Sequence, residues 1–218
     1  MITDDPFTPG NGHWENNFAM QFTGTASSKE VDFPAADINY GYGDHIQLKI
    51  QMPMMEYLHV DGRSRIGIGD VLIGVKARFL DEEQNGIAVS TYPQYEFDNS
   101  SIAEDGQAPQ FFLPLEAAKT FGRFHYAADV GYSFVASGPD GLAYGIVTGY
   151  DQSEPCELLL EIHGDNQFHT GLEEVILNAG LTYKLSPSFV LLASVGTTVY
   201  SLQSGNTYLA YVGICWLL

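Results

Sequence analysis

Positive charge is what this sequence has least of. Nine Lys and Arg stand against 27 Asp and Glu among 218 residues, a formal net charge of −18. Phosphate backbones are bound by patches of Lys and Arg, so nucleic acid is excluded as a partner. Cysteine is scarce as well: Cys156 and Cys215 match no zinc or redox spacing, and no cofactor is expected. Linkers are missing. No Pro-rich or Gly/Ser-rich stretch and no long charge run divides the chain, so residues 1–218 are expected to form a single domain. The opening MITDDPFTPG has neither a basic start nor the apolar stretch of a targeting segment. A Met set before a polar start is what an exported chain looks like once its signal peptide has been removed.

What is abundant points to strands. Aromatic residues make up 13% of the chain and Gly numbers 23, a mixture that suits strands and tight turns better than helical bundles. The apolar period is two almost throughout. Over residues 124–134, Phe124, Tyr126, Ala128, Val130, Tyr132 and Phe134 share one face, and His125, Ala127, Asp129, Gly131 and Ser133 the other. Turn signals separate such runs. The pattern predicts twelve strands, near 14–24, 31–42, 46–58, 70–80, 87–98, 111–121, 123–136, 141–151, 156–164, 174–185, 188–201 and 207–218. Residues 171–185 also admit a short helix, from the spacing of Leu172, Val175, Ile176 and Ala179. Residues 185–218 carry no charge, as a membrane helix would, but Ser186-Pro187 and 203–206 interrupt them and a β-hairpin fits better.

The expected connections alternate between short turns, such as 42–45 and 121–123, and longer polar ones at 59–69, 99–110 and 165–173. Short turns on one rim and long loops on the other mark an all-β, transmembrane, up-and-down antiparallel β-barrel of about 12 strands in the outer membrane of a Gram-negative bacterium. An even strand count puts both ends on the short-turn rim, with residues 1–13 as a periplasmic N-terminal segment. A soluble barrel would turn the same alternation inside out. Three features favour the membrane. Charges sit mid-strand on the polar face, that face is otherwise small or glycine, and the last strand alternates from Tyr208 through Val212 and Trp216 to Leu218, like the insertion signal read by outer-membrane assembly machinery. Trp14, Tyr40, Tyr42, Tyr95, Phe97, Tyr150, Tyr183, Tyr200, Tyr208 and Trp216 fall near strand ends, where interfacial aromatic girdles belong.

On the inward face the pattern sets Asp37, Lys49, Lys76, Arg78, Glu96, Glu116, Asp129 and Glu161. These lumen-lining residues could form a transverse field that filters small solutes, or a salt-bridged filling that stiffens a closed barrel; twelve strands lie between the filled and the open sizes. The acidic excess favours cations by long-range steering. Much of it also falls in expected loops (Asp61, Asp98, Glu104, Asp105, Asp140, Asp165, Glu173 and Glu174), where it would serve solubility or lipopolysaccharide-bound cations.

The segment Gly67-Ile68-Gly69-Asp70-Val71, with Gly74-Val75-Lys76-Ala77-Arg78-Phe79 after it, resembles the "GxGD…G.K.RF" stretch of the MetA-pathway phenol-degradation family of outer-membrane proteins. NYGYGDHIQL at 39–48 resembles that family's RYGLTDRLEL hairpin, although Tyr40 stands where an Arg is expected. Residues 3–6 and Trp14-Glu15 are similar to its mature N-terminus. The likeness is clearest over the first 80 residues and beyond them extends only to strand pattern. It implies a transporter, with hydrophobic or aromatic compounds as possible solutes.

Other functions leave weaker marks. A closed barrel acting in structure, binding or adhesion is the alternative to a channel. A lipid hydrolase resembling outer-membrane phospholipase A needs a His-x-Ser pair, and the nearest approach is His163-Gly164-Asp165-Asn166, with no nucleophilic Ser. No catalytic residue is assigned. His163, Asp165 and His169 match no metal-ligand spacing, so no metal site is assigned. The two cysteines fall on non-adjacent strands and are expected to be free thiols. Membrane lipid, lipopolysaccharide and small solutes are the expected partners of a monomer.

Overall fold

The computed structural model describes residues 1–60, 62–102, 108–202 and 205–218. Of the positions named above, Asp61, Glu104, Asp105 and part of the 203–206 break lie outside them. Fifteen strand segments form one closed antiparallel sheet: β1 (Trp14–Gly24), β2 (Ser28–Tyr42), β3 (Ile46–Pro53), β4 (Glu56–Val60), β5 (Arg63–Gly67), β6 (Leu72–Leu80), β7 (Ala88–Thr91), β8 (Gln94–Glu96), β9 (Gln110–Phe121), β10 (Phe124–Val135), β11 (Gly141–Ser153), β12 (Cys156–Gln167), β13 (Leu172–Ser186), β14 (Phe189–Leu202) and β15 (Tyr208–Leu217). Both β3 and β4 pair with β2, and both β7 and β8 bridge β6 to β9. Each such pair is one barrel strand with a break in it; β5 and β6 likewise continue one another beside β4 and β3. The result is a closed 12-strand barrel.

Closure joins β1 to β15 from Glu15↔Leu217 to Gly24↔Tyr208. The seam is locked at one rim, where the Trp14 amide donates to the Leu218 carbonyl at 2.9 Å and the Leu218 amide returns the bond at 3.0 Å. A closed ladder leaves no edge and no unpaired backbone to face lipid. No helix among the described residues is long and apolar enough to cross a membrane; the strands are the crossing elements.

Exposure runs opposite to that of a soluble protein. On β9, Leu115 is 51% exposed and its neighbour Glu116 is 0% exposed; on β12, Ile162 is 53% exposed beside Glu161 at 0%. The buried residues include Asn16, Asn39, Gln47, Lys76, Ser90, His163 and Asn178, whereas Phe18, Ile50, Val75, Ile146 and Val212 point out. Such an apolar exterior far exceeds any patch a monomer holds in water, and lipid is the solvent that tolerates it. Aromatic pairs mark both ends of the belt. Trp14–Tyr40, Phe124–Tyr150 and Phe189–Trp216 sit at the short-turn rim, and Tyr95–Phe97 and Phe111–Phe134 at the other.

The strand expected near 174–185 forms, and the alternative helix does not: β13 runs in register with β12 from Leu172. Two other sequence expectations change. The long polar connections at 59–69 and 165–173 are mostly ladder, with Val60↔Arg63 and Asp165↔Glu174 paired. Polar side chains there do not end a strand, because extending the hairpin satisfies backbone N–H and C=O groups that a loop would leave to water. Finally, residues 1–13 are not a segment outside the barrel. Their first part lies within it.

Candidate channel interior

Alternation places every second side chain of a strand inward, so the interior is built from the small and polar half of the sequence. The N-terminal segment enters at the short-turn rim. There the Gly12 amide donates to the Gly41 carbonyl at 2.9 Å, the Thr8 hydroxyl to the Asp44 carbonyl at 2.9 Å, and the Gly43 amide to Asn11 Oδ1 at 2.9 Å. Gly41 has to be glycine: a Cβ there would collide with the Gly10 carbonyl.

Deeper in, the segment meets two clusters on opposite parts of the wall. The first centres on Lys76, 1% exposed, whose Nζ lies 3.0 Å from Asp4 Oδ1 and 3.3 Å from Glu116 Oε2 and also donates to the Asp5 carbonyl. The Ser90 hydroxyl donates to the same Glu116 carboxylate at 2.5 Å, and the Tyr92 ring stacks 4.6 Å from the ammonium. The second cluster centres on Glu161. Its Oε1 accepts from the Ile2 amide at 2.8 Å and the Thr3 amide at 2.5 Å, while its Oε2 accepts from Asn178 Nδ2 at 3.0 Å. Thr3 Oγ1 lies 3.4 Å from His163 Nδ1, and His163 Nε2 lies 3.1 Å from Asp165 Oδ2.

Beside the segment runs a cavity of about 1170 Å³. It touches Lys119, Thr120 and Lys184 near one rim and Gln110, Ser133 and Leu209 near the other. Its lining is acidic on balance: Glu15, Asp37, Asp129, Asp151 and Glu157 face Lys49, Lys119 and Lys184. One pair is internally compensated, with Lys49 Nζ 3.4 Å from Asp37 Oδ2.

Six of the eight sequence-assigned interior residues are therefore brought inside: Asp37, Lys49, Lys76, Glu116, Asp129 and Glu161. Arg78 and Glu96 share their face but stand at the rims. Arg78 Nε lies 2.7 Å from Asp81 Oδ1 and its Nη2 donates to the Asp44 carbonyl, while Glu96 is exposed at the last pairing of β8. Alternation fixes which side of the wall a residue takes and says nothing of its height. Ser90 and Tyr92, missed as site residues, follow the same alternation as Gln94 and could have been found by it. Asn178 likewise sits directly across from Glu161. The Ile2, Thr3 and Asp4 contacts had no sequence signal.

Two constellations that look chemical are better read as structural. Thr3, His163 and Asp165 follow the order of a nucleophile, a base and an orienting carboxylate. Thr3, however, is 7% exposed, its amide is held by Glu161 and its hydroxyl packs closely over Gly145. Among the described residues the group that could present three metal ligands is not His163, Asp165 and His169 but His125, Asp151 and Glu157, whose ligand atoms lie within 4.8 Å of one another. There His125 Nε2 is already paired with Asp151 Oδ2 at 2.9 Å and Glu157 accepts from Thr182. Cys156 on β12 and Cys215 on β15 are free thiols, on strands that are not neighbours in the sheet.

No family model matches the chain, and no curated protein matches it. Solved structures do. A KdgM porin superposes with a TM-score of 0.63 at 11% identity, covering 92% of this chain and 98% of that one. The NanC porin gives 0.68 at 9% identity over 92% and 98%. The translocator domain of the autotransporter NalP from Neisseria meningitidis gives 0.60 at 10% identity over 95% and 88%. At such identities the likeness shows the fold: this chain has the architecture of porin-like outer-membrane barrels.

Proposed function

We propose that the chain is a channel of the outer membrane of a Gram-negative bacterium that passes small polar solutes. The carrying observation is the cavity of about 1170 Å³ that touches residues of both rims inside a wall whose outer surface is apolar. The acidic balance of the lining supports a preference for cationic or neutral solutes, by the field it sets up across a narrow, water-filled path. Oligogalacturonate, present in one KdgM porin complex, carries the opposite preference and would be repelled here. Hydrophobic or aromatic solutes are what the MetA-pathway resemblance implies, and membership of that family is part of the proposal. We read no chemical step into the interior. A monomer in contact with lipid and lipopolysaccharide, inserted through recognition of β15, completes the reading. Liposome swelling tests it: vesicles carrying the folded chain should swell in small neutral or cationic solutes and not in oligogalacturonate.

A second reading, a barrel with a restricted interior serving structure or binding, has one observation in its favour, the segment that occupies part of the lumen. Swelling no faster than in empty vesicles would favour it.

A further inference from the structure

We propose that the barrel wall contains a built site for a peptide that bends at Thr3 and Pro6 and sets one carboxylate against Lys76, that residues 2–8 of this chain occupy it, and that this occupancy narrows the channel. The inference rests on the channel reading and adds to it the element that sets its bore.

The wall offers polar groups that only an occupant completes. Glu161 is fully buried, faces no cation among its hydrogen-bond partners, and takes its donors from Asn178 and from the amides of Ile2 and Thr3. Consecutive amides held by one carboxylate are the signature of a bound backbone rather than a bound side chain. Across the lumen, Lys76 is also buried, and it has two acceptors on the segment, the Asp4 carboxylate and the Asp5 carbonyl. Stripping the segment away would leave Glu161 with a single protein donor and remove two of the acceptors around Lys76. Lumen water would have to replace fixed, charge-assisted partners. The site therefore prefers to be filled.

Shape agrees with charge. Gly145 lies directly beneath Thr3, and a Cβ at that position would collide with the Thr3 hydroxyl. Pro6 is fully buried between the two clusters and the rim, and proline fixes the local chain direction at no donor cost, since it has no N–H to satisfy. Charge, backbone recognition and clearance thus select a bent stretch with a carboxylate two residues before a proline, which is what Asp4, Asp5 and Pro6 supply, Asp4 giving the carboxylate and Asp5 the carbonyl to Lys76. The open cavity runs alongside this segment, so the segment narrows the path without sealing it.

Planar-bilayer recording of the full chain and of Gly145→Val decides the matter. Valine occupies the space of Thr3 and pushes the segment off the wall without removing any residue. Single-channel conductance should rise roughly twofold or more as the bore widens. A second variant lacking residues 2–8 should show the same rise, and a synthetic peptide ITDDPFT added to it should lower conductance with increasing dose, while its Asp4→Asn, Asp5→Asn version should not. Each variant is first shown to be folded by heat-modifiable migration on a gel. Unchanged conductance in every folded variant, with clear current in the parent, overturns the bound-segment proposal and leaves the channel intact. Electrical silence in the parent and in the folded variants alike overturns the channel reading itself.

Discussion

Lys76 and Glu116 approach to 3.3 Å on neighbouring parts of the wall, one 1% and the other 0% exposed, and Asp4 of the N-terminal segment closes on the same ammonium at 3.0 Å. A cation shared by two carboxylates away from bulk water ties the wall to the segment that runs past it. Loss of the cation leaves Glu116 buried without its counter-charge and Asp4, which is partly exposed, without its cation.

Lys76→Met should therefore lower stability by about 3–5 kcal/mol. The temperature at which the folded band converts on a gel would fall accordingly. Adding Glu116→Gln to that variant should recover a large part of the loss, because the two effects share one interaction. Equal and additive losses would mean the pair is not coupled.

The wall's orientation predicts a contrast between faces. Ile146 is 60% exposed and stands across from Ile162, near the middle of β11 and β12. Arginine there should cost about 2–4 kcal/mol in a bilayer, seen as reduced folding into lipid vesicles. Arginine at Leu159, which lines the cavity, should fold nearly as well as the parent. A soluble barrel with a greasy centre would give the reverse order.

Ion selectivity should follow the lining. Under a potassium chloride gradient the reversal potential should have the sign of a cation-preferring pore, and it should shrink as salt is raised, since screening shortens the reach of each charge. Combining Asp151→Asn with Glu157→Gln, both on the cavity lining, should move it toward zero. An anion-preferring parent would contradict the electrostatic argument.

At the short-turn rim, the hydrogen bond from His45 to Asp81, reinforced by Arg78, holds the Asp81 carboxyl below its ordinary value of 3.8. A depressed acid contributes stability above its unfolded pKa and loses it as pH falls through the folded one. NMR titration of the Asp81 carboxyl should thus find a midpoint under 3.8, and His45→Ala should raise it. A midpoint at or above the ordinary value in the parent would show that the rim contact does not form.

Much of this architecture can be read from period two alone. The unbroken alternation of β10 and β15 gives both the wall and its two faces, because a strand's side chains have only two directions to choose from. Twelve barrel strands follow from the turns between such runs. Three things escape that logic. Alternation is blind to height: it groups Arg78 and Glu96 with Lys76 although they stand at the rims. Polar composition at 165–173 points to a loop where Asp165↔Glu174 is still ladder. The segment in the lumen has no period at all, and its partners, such as Glu161 for Thr3, are 158 residues away. Contacts of that range leave no local trace, and Thr-Asp-Asp-Pro reads like any solvated tail.

The measurement that bears most directly on the whole account is current through a planar bilayer after addition of the purified, heat-modifiable chain. Discrete, stepwise, cation-preferring conductance is the expected result. Bilayers that stay silent while the same preparation migrates as a folded, lipid-inserted barrel would contradict an open interior, and with it the channel.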